Sequence, residues 1–226
     1  MNVIATATVS ILLIVPMVPI LPRSDAVDSM WFSIPAMLRT FLGVLLLDLT
    51  IYWYHRLTHL IPVAWQFHRM HHTDFHLDGS TAVRFHPMEV LFSMCFVFPL
   101  SFMVGLPVVA SEVYLLLQPV ITIFHHADID VGEKWDKIIR CIVVSPRMHH
   151  LHHSQDVRQM NRNFGIIFTF WDRIFGTYER NCEPETIKSG LKKFMDEEWQ
   201  TIDGMLATPF KRGPSSPSGS LYVRKV

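Results

Sequence analysis

Three histidine clusters, far apart along the chain, set the tightest constraint on what it can fold into. They read H-R-L-T-H (His55, His59), H-R-M-H-H (His68, His71, His72) and H-H-L-H-H (His149, His150, His152, His153). On a helix, residues three and four apart share a face. His55/His59, His68/His71/His72 and His149/His152/His153 therefore each present one imidazole stripe. With 13 histidines in 226 residues, H-x-x-H-H is expected ~0.04 times by chance. It occurs twice. Imidazole is the commonest protein metal ligand and suits iron, zinc and copper. Eight histidines at ligand spacing exceed the four that a tetrahedral site takes, which points to two metals close together. A crude metal-binding tract would be short and contiguous. Here the clusters are spread along the chain, each tied to a hydrophobic helix pattern.

Composition narrows the setting. Half of the residues are hydrophobic and the formal net charge is zero, so nothing favours a nucleic-acid partner. Cys95, Cys141 and Cys182 are scattered, with no C-x-x-C. Neither a disulfide framework nor a cysteine zinc site is indicated.

Four apolar stretches predict membrane helices: residues 3–21, a run from about Met30 to Trp53 interrupted by Arg39 and Asp48, Val90 to Leu106, and Pro107 to Phe124. A spanning helix needs about 20 mostly apolar residues. The last two are short or marginal and read as a hairpin turning at Gly105-Leu106-Pro107. Residues 3–21 lack the basic start and cleavage site of a signal peptide and are expected to be retained. Lys and Arg concentrate after Tyr54, which places every histidine cluster on the cytoplasmic side. The expected fold is an all-α integral membrane bundle of about four membrane helices, with a cytoplasmic helical cap holding a His-rich di-metal site. Residues 1–210 form this domain. Residues 185–206 resemble a surface helix, and residues 211–226 are a Pro/Ser/Gly-rich tail that cannot bury a core.

Around the clusters, the assignments divide. Asp48, Tyr52, His55 and His59 lie along one helical stripe. An acid in an apolar span is a functional suspect. Asp48 could support a ligand imidazole or simply reach water or Arg39. Asp74, beside Thr73, could support the second cluster. His76 reads as a surface residue. His86 precedes Pro87 and is held extended, as an additional ligand or as a loop anchor. His125 and His126 point about 100° apart on a helix, so at most one faces the metals. His150 lies off the face of its neighbours.

The segments D-L-T-I-Y-W-Y-H-R-L-T-H, W-Q-F-H-R-M-H-H-T-D, T-A-V-R-F-H-P-M-E, F-H-H-A-D-I, S-P-R-M-H-H-L-H-H-S, N-F-G and W-D-R-I-F-G-T-Y resemble, in order, the sterol desaturase/fatty acid hydroxylase superfamily. The resemblance covers roughly residues 40–180. It implies a membrane non-haem centre of two iron ions, with O2 as cosubstrate, that hydroxylates or desaturates a lipid. The implied metal ligands are His55, His59, His68, His71, His72, His86, His126, His149, His152 and His153. His126 precedes Ala127-Asp128 where the family usually has a small residue and Asn. Arg is common in the family where this chain has His150, which keeps His150 out of the set. Asn163 and the Trp171–Tyr178 motif also match, and they could close the metal site or the substrate entrance or serve packing alone.

Iron suits such chemistry where zinc does not, because zinc has no accessible redox change. The chain carries no flavin, nicotinamide or haem-attachment motif. An external electron donor is therefore implied: a ferredoxin, a cytochrome b5-like protein or a reductase. Lys134, Lys137, Arg140, Arg147 and Arg158 could dock an acidic carrier, or could reflect only the positive-inside bias. The competing functions are a membrane dizinc hydrolase and a non-catalytic metal-binding membrane protein.

Overall fold

The computed structural model describes residues 25–180 and 187–213, so residues 3–21 and most of the tail lie outside the described part. Among the described residues the protein is helical, with no strand and only two isolated bridges, Val143 to Phe168 and Ser154 to Ser189. Helix α1 is Asp25–Phe32 and α2 is Ala36–Leu60. The expected run from Met30 is thus broken. Pro35 lacks an amide hydrogen and stands at the N-cap of α2, where a helix tolerates proline. α2 then continues past Trp53 to carry both His55 and His59.

Pro62 opens α3, Pro62–His72, directly after α2. Its last turn holds the second histidine cluster. A loop with a 3-10 turn at Thr81–Val83 leads to α4, Pro87–Met103, and α5, Val108–His126. The turn between α4 and α5 contains Gly105 at φ 60°, a conformation that glycine adopts without steric cost. The turn falls where expected, but α4 and α5 each pack against α2 rather than along one another. Short helices α6 (Glu133–Ile139), α7 (Pro146–His152), α8 (Val157–Met160) and α9 (Phe170–Ile174) follow.

α2 and α5 are long and apolar enough to cross a membrane. Only 28 % and 22 % of their most apolar windows are buried, unlike the core helix of a soluble protein. α4, at 17 residues, is apolar but shorter. The two spanning candidates approach closely at Gly43, where an added Cβ would lie 2.5 Å from Ala110 Cβ. Val44 and Leu47 pack there with Leu106, Ala110, Tyr114 and Ile167.

The surface helix expected over residues 185–206 does not form. Its described part is a string of short turns: Lys192–Phe194, Glu197–Gln200 and α10, Ile202–Ala207. Leu191 and Phe194 are drawn inward against Trp65 and Met160. Gly190 at φ 87° takes a shape no continuous helix permits. Arg69 fastens the end of this strap by donating from Nη2 to the carbonyls of Thr208 (2.5 Å) and Lys211 (2.6 Å).

Asp48 is wholly buried in the middle of α2. It accepts from Tyr114 Oη (3.0 Å), the amides of Ile167 and Phe168 (both 3.2 Å) and Trp171 Nε1 (2.9 Å). It touches no histidine; its role is to hold the 164–175 segment against α2 and α5. Asp48→Ala leaves these buried donors without an acceptor, at about 1–3 kcal/mol for a buried group left unsatisfied. A lower melting temperature in detergent and faster proteolysis within residues 164–178 are expected. Asp48→Asn, which keeps an accepting oxygen, should fall between the two.

Candidate metal centre

The helices bring imidazoles from four places to one point. α2 supplies His55 and His59, and α3 supplies His68, His71 and His72. α5 supplies His126 from its last turn. α7 supplies His149 and His152, with His153 as its C-cap. α7 starts where Ser145 accepts from the Met148 amide and Pro146 sets the first turn, a favourable helix start.

The rings fall into two groups. His55, His59, His68, His72 and His152 form one, and His71, His126, His149 and His153 the other. Within each group, one ring nitrogen per residue lies within 4.8 Å of all the others. All nine rings are buried.

Outer contacts orient several rings. His55 Nδ1 donates to Phe164 O (2.9 Å), His126 Nδ1 to Thr122 O (2.7 Å) and His152 Nδ1 to Arg162 O (2.8 Å). His68 Nδ1 donates to Glu89 Oε1 at 2.5 Å. A carbonyl or carboxylate only accepts, so these contacts put the proton on Nδ1 and leave Nε2 with a lone pair. The ring of His71 stacks on Phe85 at 4.8 Å, and Phe164 packs edge-on against His55, His59 and His152.

The Nε2 atoms then meet each other. His68 and His72 approach at 3.2 Å, His71 and His126 at 3.2 Å, His126 and His149 at 2.9 Å, and His149 and His153 at 3.2 Å. His126 Nε2, with one lone pair, faces two such neighbours. His152 Nε2 is buried with no hydrogen-bond partner. One lone pair cannot satisfy both neighbours, and a cation held among these nitrogens would satisfy them together. An all-nitrogen donor set of this kind suits iron, zinc or copper, so the residues present fit a bound metal.

Outside the spanning helices, burial is the main cause that holds His71, His72, His149 and His153 well below the ordinary imidazole range, with neighbouring imidazoles adding to it. Burial pushes His152 down to about 3, against the opposing hydrogen bond to Arg162. Neutral rings keep their lone pairs available for a metal.

His86 joins neither group. Its Nδ1 accepts from the Met88 amide at 3.1 Å, capping α4, and its ring lies against Phe67. His125 is buried outside both groups, its ring 4.0 Å from that of His149. His150 Nε2 donates to His126 O at 3.3 Å, and His76 is exposed. Asp74 accepts from Thr81 Oγ1 at 2.8 Å and pairs with Arg84. It braces the loop after α3 and reaches no cluster imidazole. Asn163, at φ 57°, donates to Met148 O and accepts from the Glu179 amide. It thereby ties α7 to the strand-like end of the 163–179 segment.

Two supporting acids escaped the sequence reading. Glu89 stands in the first turn of α4 and is buried; a carboxylate opening an apolar helix was the available signal. Asp172 is also buried. It accepts from the amides of Phe164 and Gly165 and from Thr177 Oγ1, and so positions the carbonyl that holds His55. Burial raises its carboxyl to about 6, against those hydrogen bonds. Of the basic residues proposed for docking, Arg140 pairs with Asp136, Arg147 with Asp130 and Glu133, and Lys137 with Glu133. Much of that charge is neutralised internally.

Residues 40–177 match the family model described as fatty acid hydroxylase. The chain belongs to the fatty acid hydroxylase family. It is 29% identical to human alkylglycerol monooxygenase (Homo sapiens) over 71% of this chain and 33% of that protein. Ornithine lipid hydroxylase OlsE of Rhizobium tropici is 26% identical over 79% of this chain and 52% of its own length. Methylsterol monooxygenase 1 of Gallus gallus is 31% identical over 56% and 41%. This family member thus spans about a third to a half of the length of those relatives. No solved structure matches it significantly.

Two outcomes follow from the geometry. Glu89→Ala removes the acceptor that orients His68, and metal affinity, measured by chelator competition, should fall about 10–100-fold, the usual cost of losing such support. Glu89→Gln should retain more, because its amide oxygen still accepts. Secondly, the metal-free protein should be destabilised by acid. Its depressed histidines stay neutral when folded but take up protons when unfolded, near the ordinary pKa of about 6.5. The unfolded state then binds more protons, so the melting temperature should fall as pH drops from about 7 to 5.

Proposed function

We propose that this protein is an O2-dependent membrane oxidoreductase that uses two iron ions to oxidise a C–H bond of a lipid. The observation that carries it is the pair of buried histidine groups, five and four rings, at the ends of two apolar helices. In this reading His55, His59, His68, His72 and His152 hold one iron, and His71, His126, His149 and His153 the other. Bound iron would supply the redox chemistry needed to activate O2, which zinc cannot. The protein's own part is to orient nine imidazoles and to exclude bulk water with Phe85, Phe164 and Trp65. The side chains of Glu89 and Asp172 support that orientation through His68 and the Phe164 carbonyl.

The relatives' names, alkylglycerol monooxygenase, ornithine lipid hydroxylase and methylsterol monooxygenase, all denote oxygen insertion into a lipid. They favour hydroxylation over desaturation. The protein is multi-pass, with the metal site facing the cytoplasm, and electrons arrive from an external ferredoxin, cytochrome b5-like protein or reductase. α4 serves as a third membrane helix.

Lipid mass spectrometry of cells with and without the protein tests this. A product heavier by one oxygen, formed only with O2, iron and an electron source together, is expected. The zinc-loaded protein should fold and be inert, since imidazole accepts either metal. Turnover of a lipid by the zinc form without O2 would make it a hydrolase instead.

A further inference from the structure

The segment after α5 does not stay on the side of the metal centre. Asp48 lies seven residues before His55 on α2, about 10 Å away at 1.5 Å per residue. Tyr114, which bonds the same carboxylate, lies twelve residues before His126, about 18 Å along α5. The amides of Ile167 and Phe168 and the Trp171 indole reach Asp48. Ile167 packs into the core between Val44, Leu47 and Tyr114. Residues 142–144 come with them: Val144 N donates to Ile167 O (3.0 Å), and Thr169 N to Ile142 O (3.0 Å). This irregular backbone therefore sits beside the middle of α2.

Most of the side chains it turns outward are apolar; the exposed Arg173 folds its guanidinium back onto Thr169 Oγ1 and the Arg140 carbonyl. Ile142 is 62% exposed, Ile174 63%, Ile138 53% and Trp135 59%. The charges of α6 point elsewhere. Asp136 and Arg140 are buried as a pair at 3.1 Å, and Glu133 binds Lys137 and Arg147. Lys134 Nζ lies 5.8 Å from the centre of the Trp135 ring, a pairing suited to a membrane–water boundary where tryptophan and lysine collect.

We propose that residues 138–144 and 167–175 form a buttress that re-enters the leaflet nearer the histidines, its apolar face against lipid acyl chains. This rests on reading α2 and α5 as spanning helices. The occupant is lipid, rather than a protein partner, because of depth. A segment tied to the centre of a spanning helix lies within hydrocarbon. Non-helical backbone survives there only when its polar groups are satisfied inside the protein. The Asp48 carboxylate and the Val143–Phe168 bridge do that for the amides named above.

The test uses the full chain in phosphatidylcholine vesicles, with Cys95, Cys141 and Cys182 replaced by serine and single cysteines at Ile142, Ile174, Leu116 or Lys192. Each is labelled with a bimane fluorophore. Quenching by iodide in the water is compared with quenching by bromine on the lipid acyl chains. Leu116, 75% exposed on α5, reports the spanning helix; Lys192, exposed in the strap, reports water. The expected result is that labels at Ile142 and Ile174 behave as at Leu116, with bromolipid quenching several-fold above that at Lys192 and little effect of iodide. Iodide quenching at both isoleucines, with Leu116 still quenched by lipid, would overturn the buttress alone. Protection of both from either quencher would show a protein partner on this face and also overturn it. Iodide quenching at Leu116 would instead remove the spanning reading on which the proposal stands.

Discussion

A lone pair on a buried imidazole nitrogen needs a proton or a cation opposite it, and this protein packs nine buried imidazoles into one place. Everything else answers to that constraint. Four of the nine are held from behind, through Nδ1, by three backbone carbonyls and one carboxylate. Their Nε2 atoms are thereby committed to the interior. Burial keeps His71, His72 and His152 neutral, so the centre is prepared for a cation and costly without one.

Acids inside this protein act as acceptors for its own chain. Asp48 holds the 167–171 segment, Asp172 holds the turn that carries Phe164, and Glu89 holds His68. Each is buried, and each satisfies donors that an apolar surrounding would otherwise leave unpaired. The three form a graded support: Glu89 touches a cluster imidazole, Asp172 acts through one carbonyl, and Asp48 fixes the layer beneath. A side-chain link joins α2 to the same support: Tyr52 Oη donates to Thr177 Oγ1 (2.7 Å), which donates to Asp172.

The helical stripes were legible in the residue order. Spacing of three and four put His55 with His59, and His149 with His153, on common faces, and those pairs do converge, while His152 joins His55 and His59 instead. The turn at Gly105 was legible too, because the apolar runs were separated by Gly-Leu-Pro. His126 was separable from His125 only through the family pattern, since two adjacent ring positions are equally good from spacing alone. Helix boundaries were less legible: α2 begins after Pro35 rather than near Met30. The surface helix over 185–206 failed because two of its apolar residues are claimed by a pocket around Trp65, a long-range partner that local periodicity does not report.

By itself the sequence determined that this chain is helical, apolar along two lengths sufficient to cross a membrane, and armed with imidazoles at ligand spacing. Those properties are local, and a period of 3.6 residues carries them. Only the tertiary structure decided how the rings divide between two groups, and that His86 caps a helix while Glu89, three residues on, supports His68. It alone decided that Asp48 serves backbone amides 119 and 120 residues away. Those outcomes depend on which donor meets which acceptor across the fold. Spacing along one helix fixes the direction of a side chain, but not what another part of the chain places in front of it.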